Sequence, residues 1–500
     1  MEFSEFACYS NRMKQNFFSR CLGFSLAFIL GVFGAEKQAF AESTPIDNLY
    51  HYKLSNGLEL FVAENHNVPL VYIETAVRCG AYTQGPETAG LFHLYEHMMF
   101  KGNSLYKNAA SVTSALNDMG VTNWNGSTDL ECVNYFFTIP SAQLRKGLEF
   151  WSAAIRSPLM DKKELENEKK VVLSEIAANY SSPERISRFY HSKKLFADSP
   201  WKLDTSGSSS VVQNATVKTL KNIQKTFYVP NNSAVFVGGD VNPEEVYKMV
   251  QEIYGSWKKA KNPFDKVSFR HSKEPFEKPV FAVMPFEKIS KEIAEIEVSY
   301  RGPDIAFDRE DSYPADIFVD SLSNPGGLFK RSIMKDGYIG VPSVDYVSAG
   351  FRSRKSCGVF SFVVNVTMPE AELAERTKYF AQQLPSIVEE AAASLRKEEI
   401  LRTVNRLEDS NIYTNETASG ILSTMRFWWT CADSEYRYSY AQKMAAVSEE
   451  NVVDFVKKYI YGKNPLVVVY VNPEIFEESK EDFIHAGFEI VSAENAFWFK

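Results

Sequence analysis

The chain has 500 residues, of which 45% are hydrophobic, 14% aromatic and 24% charged, and its formal net charge is −8. The composition is that of a large soluble protein, and the length exceeds a single-core domain, so we expect two domains or more. The negative charge argues against nucleic acid as the main partner and is compatible with neutral or basic peptides as substrates.

Residues 1–41 are predicted to be a secretory signal peptide. Basic residues precede the apolar run 21–35, and Ala39-Phe40-Ala41 offers an A-x-A cleavage site. The apolar run is shorter than the roughly 20 residues that a membrane span needs. We therefore expect export, most simply to a periplasm, with no stable membrane span after cleavage. An uncleaved anchor is the alternative.

The first segments after the signal are predicted to be strands, over Leu58–Ala63 and Val71–Val77. Both runs are rich in β-branched and aromatic residues, and polar turn residues separate them. The next stretch, Gly90–Gly102, is apolar almost all round, which predicts a buried helix.

That helix contains His93-x-x-Glu96-His97, the inverted form of the H-E-x-x-H zinc-peptidase motif. On a helix these three side chains share an arc of about 100°. Two imidazoles one turn apart can bind one metal ion, and a neighbouring carboxylate can act on metal-bound water. Because catalytic zinc usually has three protein ligands, a third ligand is expected from another segment.

A second helix, predicted over 165–179, is the expected source of that ligand. Its Glu168 and Glu175 fall in the middle of an apolar stripe, whereas Glu166 suits a solvated face. A buried carboxylate is costly unless it is paired or binds a metal. The stripe therefore indicates that Glu168 and Glu175 have functional roles.

Two segments with similar sequences indicate a duplicated domain. Val241-Asn-Pro-Glu244 and Val471-Asn-Pro-Glu474 each follow an apolar run. The helix expected in the second copy, around Tyr313–Leu322, has no histidine, so this copy cannot bind zinc in the same way. The predicted fold is α+β, with two tandem homologous domains, each an antiparallel sheet packed with helices. The predicted boundaries are 42–257 for the zinc-binding domain, 258–279 for a linker and 280–500 for the second domain.

The motifs resemble those of the insulinase/pitrilysin family of zinc metallopeptidases. In that family a distant glutamate is the third ligand, and another glutamate precedes it by seven residues. The resemblance implies one zinc ion held by His93, His97 and Glu175. It also implies that Glu96 is the general base and that Glu168 supports the site. The spacing from His97 to Glu175 is about one residue longer than is usual in the family.

The resemblance also implies substrate-binding residues. The segment from Asn125 to Thr128, in a predicted hairpin over 122–139, is similar to the family's N-A-x-T edge strand, with Gly126 in place of alanine. That strand binds the substrate backbone, although an ordinary strand is the alternative. Arg331 and Tyr338 have the spacing of an arginine and a tyrosine that face the metal across a closed chamber and stabilise the oxyanion. The alternative is a surface arginine and a packed tyrosine.

The expected function is zinc-dependent endopeptidase activity on peptides or unfolded segments. Relatives of this length work as pairs, so the resemblance implies a homodimer or a heterodimer with a related chain. A non-catalytic binding or assembly subunit and the metal-bearing subunit of a heterodimeric peptidase are the alternatives. The oxidation state of the cysteines that remain after signal removal stays open, since none forms a C-x-x-C pair.

Overall fold

The computed structural model describes residues 42–121, 123–264, 276–367 and 372–499. The predicted signal peptide 1–41 lies outside these ranges. So do residues 265–275 of the predicted linker and Thr122 at the start of the predicted hairpin.

The first half contains a mixed sheet with helices. Its strands are β1 (Glu42–Ser43), β2 (Leu49–Lys53), β3 (Glu59–Glu64), β4 (Leu70–Arg78), β5 (Trp124–Thr128), β6 (Cys132–Pro140) and β7 (Ser233–Gly239). Its helices are α1 (Leu91–Met99), α2 (Ala109–Asp118), α3 (Leu144–Arg156), α4 (Lys162–Asn179), α5 (Pro183–Leu195), α6 (Ser209–Gln213), α7 (Val217–Phe227) and α8 (Pro243–Tyr254). The strand order is β1-β2-β3-β7-β4-β6-β5, so β5 is at one edge.

The second half has the same kind of architecture. Its strands are β8 (Val280–Pro285), β9 (Ile293–Arg301), β10 (Val347–Arg352), β11 (Val359–Thr367), β12 (Leu466–Val471) and β13 (Glu489–Ile490). Its helices are α9 (Arg309–Leu322), α10 (Leu328–Lys335), α11 (Leu373–Ser394), α12 (Lys397–Thr414), α13 (Ala418–Cys431), α14 (Ser434–Ala445), α15 (Glu449–Tyr459), α16 (Pro473–His485) and α17 (Ala493–Ala496). The strand order is β10-β11-β9-β12-β8-β13.

The predicted fold class is confirmed, with one refinement. Most neighbouring strands pair antiparallel, but β3 pairs parallel with β7, and β8 pairs parallel with β12 and β13. These parallel pairs form because β7, β12 and β13 each return to the sheet after one or more helices.

The two Val-Asn-Pro-Glu segments have the same local structure. Asn242 caps α8 by accepting hydrogen bonds from the backbone N–H groups of Glu244 and Glu245. Asn472 caps α16 through the backbone N–H of Glu474. In both cases proline occupies the first helical turn, where its missing N–H costs nothing. The repeat therefore marks the point where a buried strand turns into a surface helix.

Each half covers one sheet face of the other half. Alternate residues of β3 divide between two cores: Leu60 and Val62 face the helices of the first half, and Phe61 and Ala63 face α13. The second sheet in turn packs against α5, through side chains such as Tyr190. Both sheets are therefore buried on both faces, which explains their nearly continuous apolar strands.

A buried hydrogen bond, a cation–π contact and an ion pair fix α13 on the first sheet. Trp429 Nε1 donates a 2.9 Å hydrogen bond to Glu59 Oε1, and the Arg78 guanidinium stacks on the Trp429 ring. Arg426 Nε lies 2.7 Å from Glu74 Oε1 in the interior. Because a charge buried without a partner is expensive, these pairs define where the two halves meet.

Two further observations concern the cysteines and the membrane. Cys79, Cys132, Cys357 and Cys431 are buried free thiols in the described ranges. Within those ranges, no helix combines the length and the apolar content that crossing a membrane requires.

Candidate metal centre

Helix α1 carries the inverted motif, and glycine defines where it begins. Gly90 caps the helix with φ 91°, a left-handed conformation that favours glycine. A Cβ atom at Gly90 would lie 2.6 Å from the carbonyl oxygen of Ser206, so a side chain is excluded there. The helix is buried through Leu91, Leu94 and four other apolar residues, as its sequence predicts.

Three side chains from α1 and α4 converge on one point. The Nε2 atoms of His93 and His97 lie 3.3 Å apart. Glu175 Oε2 lies 3.5 Å from the first of these nitrogens and 3.6 Å from the second. These residues form the group of potential metal ligands found among the described residues.

This triangle has the dimensions of a zinc site. Zinc binds histidine nitrogen and carboxylate oxygen at about 2.0–2.2 Å, so neighbouring donors in a tetrahedron lie about 3.3–3.6 Å apart. Burial, together with the neighbouring His97, lowers the pKa of His93 to about 4. His93 is therefore neutral near pH 7, which is the form that binds metal.

Glu168 contacts the His97 ring at Nδ1, on the side opposite the Nε2 atom that faces His93 and Glu175. His97 Nδ1 and Glu168 Oε2 are 3.0 Å apart, and the other carboxylate oxygen lies 2.7 Å from Lys101 Nζ. A carboxylate at Nδ1 keeps the proton on that nitrogen and leaves the Nε2 lone pair for the metal. Glu168 lies in the buried stripe of α4, where the sequence predicts it.

Glu175 is more exposed than the sequence predicts. Its side chain is 46% exposed, against 9% for Glu168. The buried stripe of α4 passes through Leu165, Val172 and Ile176. Glu175 lies beside this stripe, so it reaches the histidines from the solvent side of the site.

Glu96 faces the edge strand β5. Thr128 Oγ1 donates a 3.1 Å hydrogen bond to Glu96 Oε2. A Cβ atom at Gly126 would lie 3.0 Å from Glu96 Oε1 and from the Tyr135 ring, so the absence of a side chain leaves room for the carboxylate. Burial raises the pKa of Glu96 above its ordinary value, although His97 and Thr128 oppose this shift. A raised pKa suits a group that takes and returns a proton near neutral pH.

The contacts described for Asn125 and Tyr338 are with residues outside this cluster. Asn125 is exposed on β5, and its side-chain oxygen accepts a hydrogen bond from the Gly126 N–H. Arg331 is exposed on α10. Tyr338 is 42% exposed, packs edge-on against Tyr379 and lies under the Arg376 guanidinium. The proximity of Arg331 and Tyr338 to a metal stays a prediction.

Comparison with known proteins identifies the family. The family model for Insulinase (Peptidase family M16) matches residues 60–207, and the model for the Peptidase M16 inactive domain matches residues 214–407. Together they match more than half of the chain. The chain belongs to peptidase family M16. The inverted motif and both glutamates lie within the first match, and helix α9, which carries no histidine, lies within the second.

Curated M16 relatives are similar at low identity. One is "Probable zinc protease PqqL" of Haemophilus influenzae, 24% identical over 63% of this chain and 35% of that protein. Another is "Zinc protease PqqE" of Helicobacter pylori, 25% identical over 49% of this chain and 54% of that protein. The matched regions thus span about a third and about half of these relatives.

Solved structures share the M16 fold. The first half of the periplasmic protease PqqL from Escherichia coli matches with a TM-score of 0.69 and 16% identity, over 88% of this chain and 95% of that one. Pitrilysin matches with a TM-score of 0.71 and 17% identity, over 87% of this chain and 46% of that one. At these identities the likeness shows the fold alone.

The sequence did not assign roles to Lys101 and Thr128, which the structure brings to the centre. Lys101 follows His97 by four residues, a spacing that would place it on the same side as the motif if the helix continued, although α1 itself ends at Met99. Thr128 ends the edge strand that the family resemblance singles out, but only the fold brings it to Glu96.

Proposed function

We propose that the chain is a zinc-dependent endopeptidase that hydrolyses peptides or unfolded protein segments. The observation that carries this proposal is the triangle of His93 Nε2, His97 Nε2 and Glu175 Oε2, with sides of 3.3–3.6 Å. Glu96 is next to His97 in the sequence, and its carboxylate lies close enough to interact electrostatically with both His97 and Glu175. Metal ligands and an adjacent acid are the parts that metal-assisted amide hydrolysis requires.

His93, His97 and Glu175 would hold one zinc ion, which when bound supplies Lewis acidity to a water molecule and to the scissile carbonyl. Glu96 accepts the proton of the attacking water and delivers it to the leaving amine. The Thr128 hydroxyl fixes one oxygen of Glu96, so the other oxygen, Oε1, is the one available for this transfer.

Edge strand β5 supplies the substrate-binding surface of the proposal. It pairs with β6 on one side and is the last strand of its sheet. An extended peptide that pairs with β5 gains backbone hydrogen bonds with little dependence on its side chains. Asn125, exposed on this strand, would contact such a peptide directly. This binding mode favours unfolded segments, because a folded domain does not offer a free extended backbone.

Arg331 and Tyr338 are proposed to act on the substrate across a closed chamber. Both are exposed, which leaves their polar groups available to a second chain. The proposed enzyme is therefore a dimer, either of two identical chains or with a related chain. Export to the periplasm is proposed from the N-terminal sequence, and the Escherichia coli relative PqqL is described as periplasmic.

A peptide-library digest with the purified chain tests the proposal. The wild-type chain is expected to cleave peptides, and Glu96→Gln is expected to keep its zinc and lose about 10²–10⁴-fold in kcat. A wild-type chain that binds zinc and cleaves peptides only after a related chain is added would support the heterodimer. A chain that binds zinc and cleaves nothing under either condition would contradict the enzyme proposal and favour a binding or assembly subunit.

A further inference from the structure

Lys101 lies at the end of a chain of contacts that leads to the metal centre. Its Nζ atom is 2.7 Å from Glu168 Oε1, and the second carboxylate oxygen of Glu168 is 3.0 Å from His97 Nδ1. Glu168 thus uses one oxygen for the lysine and the other for the ligand ring. The carboxylate is 9% exposed, so water replaces neither partner well.

This arrangement ties three rotatable side chains into one geometry. Without Lys101, the Oε1 atom of Glu168 would lose its charged partner in a mostly buried position, at a cost to the local structure. The carboxylate would then turn toward solvent or toward another donor. Because Oε2 belongs to the same rigid group, such a turn would also move the acceptor away from His97.

We propose that Lys101 is a positioning residue for the metal centre, which holds Glu168 so that His97 presents Nε2 to the metal. The inference rests on the metal site of the proposed function and adds a residue to it. Lys101 lies two residues beyond the end of α1, and its Nζ atom contacts Glu168 of α4, so it links the segment that carries the histidines to the helix that carries the glutamates. Its effect is therefore expected on zinc affinity rather than on the chemical step.

Zinc affinity measured by competition with a chromophoric chelator tests this inference without any peptidase assay. Changes in groups that orient metal ligands cost about 10–100-fold in affinity, so Lys101→Met is expected to weaken zinc binding about tenfold. Lys101→Arg is expected to recover most of that loss. Lys169→Met is the matched control, because Lys169 is also largely buried but pairs with Glu166.

A double-mutant cycle separates positioning from a purely structural role. If Lys101 acts through Glu168, then Lys101→Met adds little further loss of zinc affinity in a Glu168→Gln background. Additive losses, or a Lys101→Met chain with wild-type zinc affinity, would overturn the inference. Failure of the proposed function looks different, since it would appear as bound zinc without hydrolysis.

A separate observation concerns the second half, where helices α9 and α12 pack together as α1 and α4 do in the first half. When the last residues of α1 and α9 are aligned, Asp316 takes the position of His93. Asp320 then takes the position of His97. The second copy thus has two carboxylates at the spacing of the two metal-binding rings.

The partner helix supports this alignment independently. Helices α4 and α12 each contain 18 residues, and aligning their first residues gives Thr403 the position of Glu168. Thr403 Oγ1 donates a 2.8 Å hydrogen bond to Asp320 Oδ2, which corresponds to the contact between Glu168 and His97 in the first half. Ser410, at the position of Glu175, has no carboxylate to offer.

In the second half, an arginine supplies positive charge beside the carboxylate that takes the position of His97. Arg406 of α12 forms an ion pair with Asp320, and the Tyr440 hydroxyl donates a hydrogen bond to Asp316. We infer that the Arg406 guanidinium joins α9 to α12 in the second half, as zinc would join α1 to α4 in the first. The Arg406 side chain is more than half exposed, so this link is a modest one, but it needs no metal ion.

Hydrogen exchange of the zinc-loaded chain, followed by mass spectrometry, tests this inference. A chelator is expected to speed exchange in α1 and α4 and to leave α9 and α12 unchanged. Arg406→Met is expected to speed exchange in α9 and α12 only. Arg402→Met is the control, because this exposed arginine of α12 pairs with Glu399 of its own helix. Unchanged exchange in Arg406→Met, or loosening of α9 and α12 by the chelator, would overturn the inference.

Discussion

His93 Nε2 and Glu175 Oε2 lie 3.5 Å apart, although they belong to different helices separated by α2, the β5–β6 hairpin and α3. The Glu175 side chain is nearly half exposed, so no burial requirement holds it beside the histidine. A shared metal ion gives a physical reason for this position, because it would hold the exposed carboxylate against the two histidine nitrogens.

Replacement of the third ligand should therefore impair metal binding directly. Glu175→Gln is expected to weaken zinc affinity by more than about 100-fold, since changes in residues that only orient ligands already cost about 10–100-fold. Glu166→Gln is the control, as Glu166 is on the same helix and pairs with Lys169. Chelator competition on the two variants measures the difference, and equal affinities would remove Glu175 from the ligand set.

The hydroxyl of Thr128 is expected to affect catalysis without affecting the metal. Thr128→Val removes the hydrogen bond to Glu96, and hydrogen bonds to charged groups contribute about 1.5–3 kcal/mol. We expect kcat to fall by about tenfold or more while zinc content stays at the wild-type level. Ser127→Ala is the matched control, because the Ser127 hydroxyl donates to Asn134. A Thr128→Val enzyme with unchanged kcat would show that this contact does not position the base.

Arg331 and Tyr338 are expected to work across a dimer interface if the active form is a homodimer. Arg331→Ala and Glu96→Gln should then each be inactive alone. A mixture of the two variants should recover part of the activity, since some mixed dimers combine an intact Glu96 with an intact Arg331. Peptide hydrolysis after mixing and re-equilibration measures this. Two inactive variants that stay inactive together would contradict action across identical chains.

The contact between Glu59 and Trp429 predicts a pH dependence of stability. Burial alone would raise the pKa of Glu59, but hydrogen bonds from His51 and Trp429 and the charge of Arg78 lower it to about 2 from 4.5. The folded chain then binds fewer protons than the unfolded chain between these values, so stability rises with pH there. The contribution, about 3 kcal/mol, is present above about pH 4.5 and is lost as the pH falls toward 2.

Glu59→Gln is expected to remove this part of the pH dependence. The free energy of unfolding, obtained from urea titrations between pH 7 and pH 3, should fall less steeply with acid in the variant than in the wild type. Glu87→Gln, at an exposed glutamate, should retain the wild-type slope. Parallel curves for Glu59→Gln and the wild type would show that the contacts of Glu59 do not set the acid stability of the chain.

Local patterns predicted several structural features around the candidate site. The spacing of His93 and His97 fixes a shared helical face, and the apolar stripe of α4 predicted a buried Glu168. The repeat with Asn242 and Asn472 predicted the duplication, because an asparagine cap followed by proline has a strong local signature.

These local patterns do not predict contacts between segments that are distant in the sequence. The exposure of Glu175 depends on how α4 is rotated against α1, and helical periodicity does not fix that angle. The packing of α13 on the first sheet depends on side chains such as Trp429 and Arg426, which look like ordinary core and surface residues in the sequence. Their partners, Glu59 and Glu74, lie more than 300 positions away along the chain.

The location of zinc in crystals of the purified chain is the decisive measurement for the proposed metal centre. Anomalous diffraction at the zinc edge should give one strong peak per chain, about 2.0–2.2 Å from His93 Nε2, His97 Nε2 and a carboxylate oxygen of Glu175. A zinc-supplemented crystal with no peak there, or with its zinc held by other residues, would contradict the account.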